Sequence, residues 1–202
     1  MEPRRKIFTI LLIYCFFLFF IALFLNSVIS FDEYLFSFIS SSTDSYLLSF
    51  FNIITYLGSS IFWILLIVLS WIKNKRKLSL QLLFAFILDT IASSILKFAF
   101  LRPRPPRSIG LTDFDLGPSF PSGHSERAFS GSIVLANHYK KYNWLFYSLA
   151  VLVSFSRIYI GLHYPLDVLI GSINGIIIGM IVLLVPTRLI KKVKSKRNSK
   201  KK

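Results

Sequence analysis

Only one of the 202 residues is cysteine, Cys15. A lone thiol cannot close an intramolecular disulfide or build a cysteine-based metal site; inside an apolar run it reads as lipid-facing or packing filler. Charge is scarce as well: Asp, Glu, Lys and Arg make up 16% of the chain, against about a quarter in soluble proteins. Hydrophobic residues reach 54%, which excludes an ordinary soluble domain. Several apolar runs approach the ~20 residues needed to cross a hydrocarbon core, so the bilayer is the solvent of this chain. No internal repeat and no second domain is visible. One membrane-embedded domain is expected over residues 1–190, followed by a basic tail at 191–202.

The spans follow from hydropathy. A first runs from Ile7 to about Ile29 after Arg4, Arg5 and Lys6. Its apolar stretch is longer than a secretory core and no small-x-small site follows, so it is expected to stay as an anchor. Phe31 to Ser49 is mixed, with Asp32, Glu33 and Asp44 among apolar Tyr34, Leu35, Phe38 and Ile39 at helical spacing; this predicts an interfacial helix between spans one and two. Further spans are expected at Phe51–Ile72, Leu78–Leu101, Ser125–Tyr139, Trp144–Gly161 and Pro165–Ile190. The 15-residue fourth span is short for a ~30 Å core and must start below the surface or be shielded by its neighbours. Gly171, Gly175 and Gly179, with Asn174, predict close helix packing along the sixth span, because small residues four apart let backbones approach. The expected fold is all-α, a six-span integral membrane bundle.

The net charge of +15 would point to nucleic acid in a soluble chain. Here, with the N-terminus inside, 18 of the 24 basic residues fall on cytoplasmic segments, so the positive-inside rule accounts for most of it. Nucleic acid is therefore not an expected partner, and the C-terminal run reads as a topology signal, with contact to anionic lipid as the alternative. Six basic residues break the pattern: Lys97, Arg102, Arg104, Arg107, Arg127 and Arg157. His124, His163 and Asp167 fall at the same outer span ends. Positive charge on the wrong side of a membrane needs a reason.

Each segment offers one part of an anion site. Lys97 ends a helix and Arg104 stands in a proline-stiffened loop with Pro103, Pro105 and Pro106. Pro121-Ser122-Gly123-His124 leads into a helix, whose free N–H groups and positive dipole end attract an anion. Asp167, four residues after His163 and in the first turn begun by Pro165, can reach back to accept an imidazole N–H. Three cations, a helix N-terminus and two histidines at one level make a phosphate site with a nucleophile and a proton donor.

Lys97-x6-Arg104-Pro105, then Pro121-Ser122-Gly123-His124, then Ser156-Arg157-x5-His163-x3-Asp167 resembles, in order, the three signatures of the type 2 phosphatidic acid phosphatase superfamily. The resemblance extends over about Phe51 to Leu184. It implies a metal-independent, cofactor-free phosphatase in which His163 is the nucleophile forming phosphohistidine, Asp167 its orienting carboxylate, and His124 the acid for the leaving oxygen and base for water. Lys97, Arg104, Arg157, Ser122 and Gly123 are implied as the phosphate cradle. The expected substrate is a membrane lipid with a terminal phosphate or diphosphate: lipid A 1-phosphate, undecaprenyl diphosphate, phosphatidylglycerophosphate or phosphatidate. The expected location is a bacterial cytoplasmic (inner) membrane, with both termini inside and the site on the extracytoplasmic side. A lipid phosphotransferase using the same site and a non-catalytic lipid-phosphate carrier are the alternatives; two histidines with Asp167 weigh against the carrier, because binding alone needs only cations. Oligomeric state is not legible.

Other polar residues receive plainer readings. Arg102 and Arg107 read as loop charges or lipid contacts, Arg102 keeping a minor claim on substrate. His138 reads as an interfacial residue, and Asp89 as a hydrogen-bonded or protonated structural carboxyl. Glu126 and Arg127 are expected to pair with loop charges or shape the substrate mouth.

Overall fold

The computed structural model of the protein describes residues 3–41, 44–106 and 117–185. The basic tail 191–202, Arg107 and the loop around Gly110 lie outside the described residues. Seven helices follow one another: α1 (Pro3–Ser41), α2 (Ser45–Thr55), α3 (Ser60–Ile72), α4 (Arg76–Phe100), α5 (Gly123–His138), α6 (Asn143–Tyr159) and α7 (Pro165–Leu184). By length and composition α4 and α7 can each cross a bilayer, and α2 with α3, bent by 50° at their break, can form a third span.

One expectation changes at the N-terminal end. No separate interfacial helix covers 31–49; α1 runs on to Ser41, and the chain re-enters helix at Ser45. There the Asp44 carboxylate caps α2, accepting from the N–H groups of Tyr46 at 2.8 Å and Leu47 at 3.0 Å. Along the 31–41 stretch the outward face is apolar, as a helix against lipid requires. Tyr34 and Phe38 are 65% and 70% exposed, whereas Asp32, Phe36 and Ser40, at four-residue spacing, are buried. In lipid the outward face is satisfied by apolar side chains, and the protein interior collects the polar groups.

The span expected at Phe51–Ile72 is interrupted by a 3₁₀ turn, Tyr56–Gly58, before Ser59 caps α3 by accepting from Phe62 N–H at 3.2 Å. Gly58 is required by its packing: a Cβ there would meet His124 Cβ at 3.0 Å and Val153 Cγ1 at 2.7 Å.

The short helix α5 is central, packed against α4, α6 and α7. Its buried face includes Ser125, Glu126, Ser130, Gly131 and Ser132, so shielding by neighbours accounts for its length and low apolarity. The glycine stripe of α7 packs on it. A Cβ at Gly175 would stand 2.2 Å from the Glu126 carbonyl oxygen, and one at Gly171 2.5 Å from that of Ser122. Only a residue without a side chain permits that approach. Polar links complete the contact: Asn174 Nδ2 donates to Glu126 Oε1 at 3.2 Å, and Tyr14 Oη donates to Asn174 Oδ1. Glu126 is thus wholly interior instead of shaping a substrate mouth. Asp89, expected as a structural carboxyl, accepts a hydrogen bond from Ser130 Oγ across the α4–α5 interface. His138 Nε2 lies 2.7 Å from Gln81 Oε1, tying the far end of α5 to α4.

Candidate active site

At the other end of this bundle the polar ends of α4, α5, α6 and α7 converge. Leu101 turns the chain out of α4 with φ 45°, a left-handed conformation uncommon outside glycine. The loop that follows is held to the segment before α5: Ser119 N–H donates to Arg102 O at 2.8 Å, and Ser119 Oγ to Pro103 O at 2.9 Å. Lys97 Nζ donates to Pro118 O. Arg104 donates from Nε to Gly117 O at 2.8 Å and from Nη1 to Leu162 O at 3.1 Å. The two basic residues of the first motif therefore bracket the segment leading into α5.

Ser122 precedes α5 as its N-cap, and its side chain accepts from no backbone N–H of the first turn. Its N–H donates to Asp167 O at 2.9 Å, joining the second motif directly to the third; its hydroxyl accepts from Ser125 Oγ at 3.1 Å. Any contact of Ser122 with an anion must thus come from the hydroxyl, the backbone N–H being committed. Gly123 opens the helix with the Arg127 guanidinium 3.3 Å from where its Cβ would be. Arg127 donates from Nε to Gly58 O at 2.9 Å, so it braces the α2–α3 turn against the start of α5.

His163 lies in the turn between α6 and α7 and is buried, its Nδ1 3.4 Å from Asp167 Oδ2. That is a loose approach, of the kind that tightens when substrate fills a site. Asp167 uses the same oxygen to accept from the Tyr164 N–H at 3.0 Å, the return bond of a helix start. With Nδ1 turned to the carboxylate, Nε2 of His163 points away from it. Burial, with Arg157 and Arg104 nearby, lowers the His163 pKa from 6.5 to about 4 although Asp167 pulls it up; the imidazole is neutral and keeps a lone pair. Arg157, buried at the end of α6, donates from Nη1 to Thr55 Oγ1 at 3.0 Å. His124 lies within electrostatic reach of Arg157, Arg127, His163 and Arg104. Among the described residues no three His, Cys, Asp or Glu side chains are grouped as metal ligands.

All eight residues expected from the motifs, Lys97, Arg104, Ser122, Gly123, His124, Arg157, His163 and Asp167, are carried by these converging segments. Arg102 was expected as a loop charge and is instead buried, with Nη1 donating to Asp167 Oδ1 at 2.9 Å and Nη2 2.7 Å from Asp32 Oδ2. Its guanidinium carbon sits 4.0 Å from the Tyr164 ring centroid. A surface role is incompatible with two carboxylates closing over a buried guanidinium. Sequence reasoning also missed Thr55 and Gly58, which orient Arg157 and pack on His124. Neither carries a pattern, although a glycine inside an apolar span signals a close approach.

Residues 78–191 match the PAP2 superfamily. An undecaprenyl-diphosphatase of Sulfolobus acidocaldarius is 33% identical over 109 residues, 51% of this chain and 52% of that protein. The first three curated relatives are covered over 52% to 64% of their length. Among solved structures, Aquifex aeolicus LpxE has a TM-score of 0.66 at 36% identity, covering 75% of this chain and 93% of its own. A PAP2-type phosphatidylglycerolphosphate phosphatase from Bacillus subtilis has a TM-score of 0.73 at 30% identity, covering 86% and 93%. With the family match extending over more than half of the chain and over all three motifs on the converging helix ends, this protein belongs to the PAP2 superfamily.

Proposed function

We propose that this protein is an integral membrane phosphatase of six spans that removes a terminal phosphate or diphosphate group from a lipid. It works at the extracytoplasmic face of a bacterial cytoplasmic membrane, with both termini inside. What carries the reading is the pairing of His163 and Asp167 beneath Arg104, Arg157 and His124, an arrangement that supplies both a nucleophile and charge for a phosphoryl group.

The steps follow from the geometry. Lys97, Arg104, Arg157 and the start of α5 at Ser122–Gly123 hold the phosphate oxygens. His163 Nε2 attacks phosphorus while Nδ1–H leans on Asp167, which stabilises the positive imidazole as the P–N bond forms. The P–O bond to the lipid breaks, and the departing oxygen takes a proton from His124. Water then attacks the phosphohistidine, giving its proton to His124; the P–N bond breaks and inorganic phosphate leaves. The cations stabilise the charge of both transition states. Relatives are named as phosphatases of undecaprenyl diphosphate, lipid A and phosphatidylglycerophosphate, which present a phosphate group on different lipids.

The test is phosphate release by the purified protein in liposomes from undecaprenyl diphosphate, lipid A, phosphatidylglycerophosphate and phosphatidate. Release from at least one, abolished by His163→Ala, is expected. No release from any of the four, or release that survives His163→Ala, refutes the reading.

A further inference from the structure

Arg102 is placed neither to touch a lipid nor to bind phosphate. It spends Nη1 on Asp167 Oδ1 and brings Nη2 to Asp32 Oδ2, while its flat face covers Tyr164. Asp32 comes from α1, outside residues 78–191 that match the family. It is anchored twice: its Oδ1 also accepts from Leu166 N–H at 2.8 Å, in the first turn of α7. Phe36, one turn further along α1, meets the Tyr164 ring edge-on at 5.3 Å. Helix α1 is therefore docked, through buried polar and aromatic contacts, onto the turn that carries His163.

The charges give this docking a chemical consequence. An arginine bonded to Asp167 alone would form a neutral pair and spend the carboxylate's charge. Asp32 restores a net charge of −1 to the Asp32–Arg102–Asp167 group, and that charge faces the imidazole that becomes cationic when His163 is phosphorylated. Planar, two-sided donation by a guanidinium fixes both carboxylates at once, which a lysine cannot do.

We propose that Asp32 and Arg102 are positioning residues that hold the Asp167 carboxylate on His163 and return to it the negative charge needed during phosphoryl transfer, so that α1 completes the site. The proposal rests on the phosphatase reading for its kinetic consequence, whereas the charge and geometry at His163 are observable without turnover. The groups facing His163 are Asp167 from α7, Arg157 from α6, Arg104 from the loop after α4 and His124 from α5. Asp32 and Arg102 act on it through Asp167.

Two readouts test this on the full-length protein in liposomes. The first is phosphate release, from whichever of the four lipids the parent hydrolyses fastest, by Asp32→Asn, Asp32→Glu and Arg102→Lys. Loss of an outer partner of a working histidine typically costs about 10- to 100-fold, so Asp32→Asn and Arg102→Lys should lower kcat by at least about tenfold while KM stays within about twofold, because neither residue touches substrate. Asp32→Glu should recover part of kcat. The second is the titration of His163 by NMR on histidine-labelled protein, assigned with His124 and His138 variants since the chain has only 3 histidines. Removing the Asp32 charge should make His163 bind its proton at lower pH. Should Asp32→Asn fail to fold, Arg102→Lys carries both measurements. A parent that releases no phosphate from any of the four lipids while His163 still responds to Asp32→Asn would defeat the phosphatase reading and leave the positioning of Asp167 standing. Unchanged kcat per folded molecule with an unchanged His163 titration would overturn the positioning itself.

Discussion

Gly171→Ala is the smallest change that should separate the site from the rest of the bundle. Gly171 stands on α7 one turn after Asp167, and a Cβ there would lie 2.5 Å from the Ser122 carbonyl oxygen and 3.2 Å from Ser122 C and N. Ordinary contact begins at 3.4 Å, so the Ser122 peptide has to retreat by roughly 0.9 Å. The obstacle is backbone, and it is tied to α7 by the bond from Ser122 N–H to Asp167 O at 2.9 Å; no flexible side chain can give way. Overpacking of this kind costs about 1–3 kcal/mol, against a gain of about 1 kcal/mol from replacing Gly by Ala in a helix, so the clash should dominate. A displacement of about 1 Å at reacting groups can cost on the order of 10²-fold in rate, equivalent to about 2.7 kcal/mol of barrier. Phosphate release, normalised to folded protein by thermal unfolding in detergent, should show kcat/KM down by about 10²-fold. Gly179→Ala is the comparison: its Cβ would meet Ile133 Cβ at 2.9 Å and Ser130 O at 3.0 Å, two turns deeper. It should lower the melting temperature and leave kcat/KM within about threefold. A Gly171→Ala protein as active and as stable as the parent, or equal rate losses in the two variants, would refute the argument.

The remaining expectations are briefer. A cysteine at Ile109, in a background lacking Cys15, should react with an impermeant thiol reagent in intact cells; labelling only after the membrane is opened would reverse the orientation drawn from the positive-inside rule. Because the proposed cradle is built of cations and N–H groups, activity should survive EDTA and be blocked by vanadate, and loss in EDTA restored by Mg²⁺ would contradict it. With His163 lowered to about 4, its neutral form persists far below 6.5, so the acid limb of kcat/KM that His163 sets, corrected for substrate ionisation, should lie near 4 and not near 6.5. Since the unfolded chain takes the same proton near 6.5, this group's burial makes stability decline as pH falls below about 6.5 and level off below about 4; an acid limb at 6.5 would show His163 to be solvated. If His124 is the acid, His124→Ala should slow the phosphorylation burst far more with a lipid phosphomonoester than with nitrophenyl phosphate, by up to ~10²–10⁴-fold, and equal losses would remove that role.

What could be read from the sequence and what could not divides along a physical line. Lys97, Arg104, His124, Arg157, His163 and Asp167 were legible because each sits at a span end in a fixed local pattern, and topology alone brings such ends to one face. The glycine stripe at Gly171, Gly175 and Gly179 was legible for a similar reason: periodicity along one helix reports a close partner without naming it. Arg102 had no such signal. It lies two residues from Arg104 in a run of basic residues and prolines, and what sends it inward is the left-handed turn at Leu101, a conformation that a leucine does not announce.

Asp32 was missed for a more general reason. Read as an interfacial helix, the stretch sets Tyr34, Leu35, Phe38 and Ile39 toward lipid and leaves the carboxylate on its polar edge. In a bilayer the surroundings are as apolar as the core, and burial no longer selects apolar residues; what demands the interior is any group needing a partner. Along the end of α1 the buried stripe is Asp32, Phe36, Ser40, and along α5 it is largely Ser, Gly and Glu126. The polar residues of a membrane segment at four-residue spacing are then the pattern to seek, and each one found is the end of an interaction whose other end lies elsewhere in the chain. Traced this way, Asp32 leads through Arg102 to Asp167 and His163, and a helix beyond the family match is tied to the candidate site by the same electrostatic logic that singled out six basic residues breaking the positive-inside pattern.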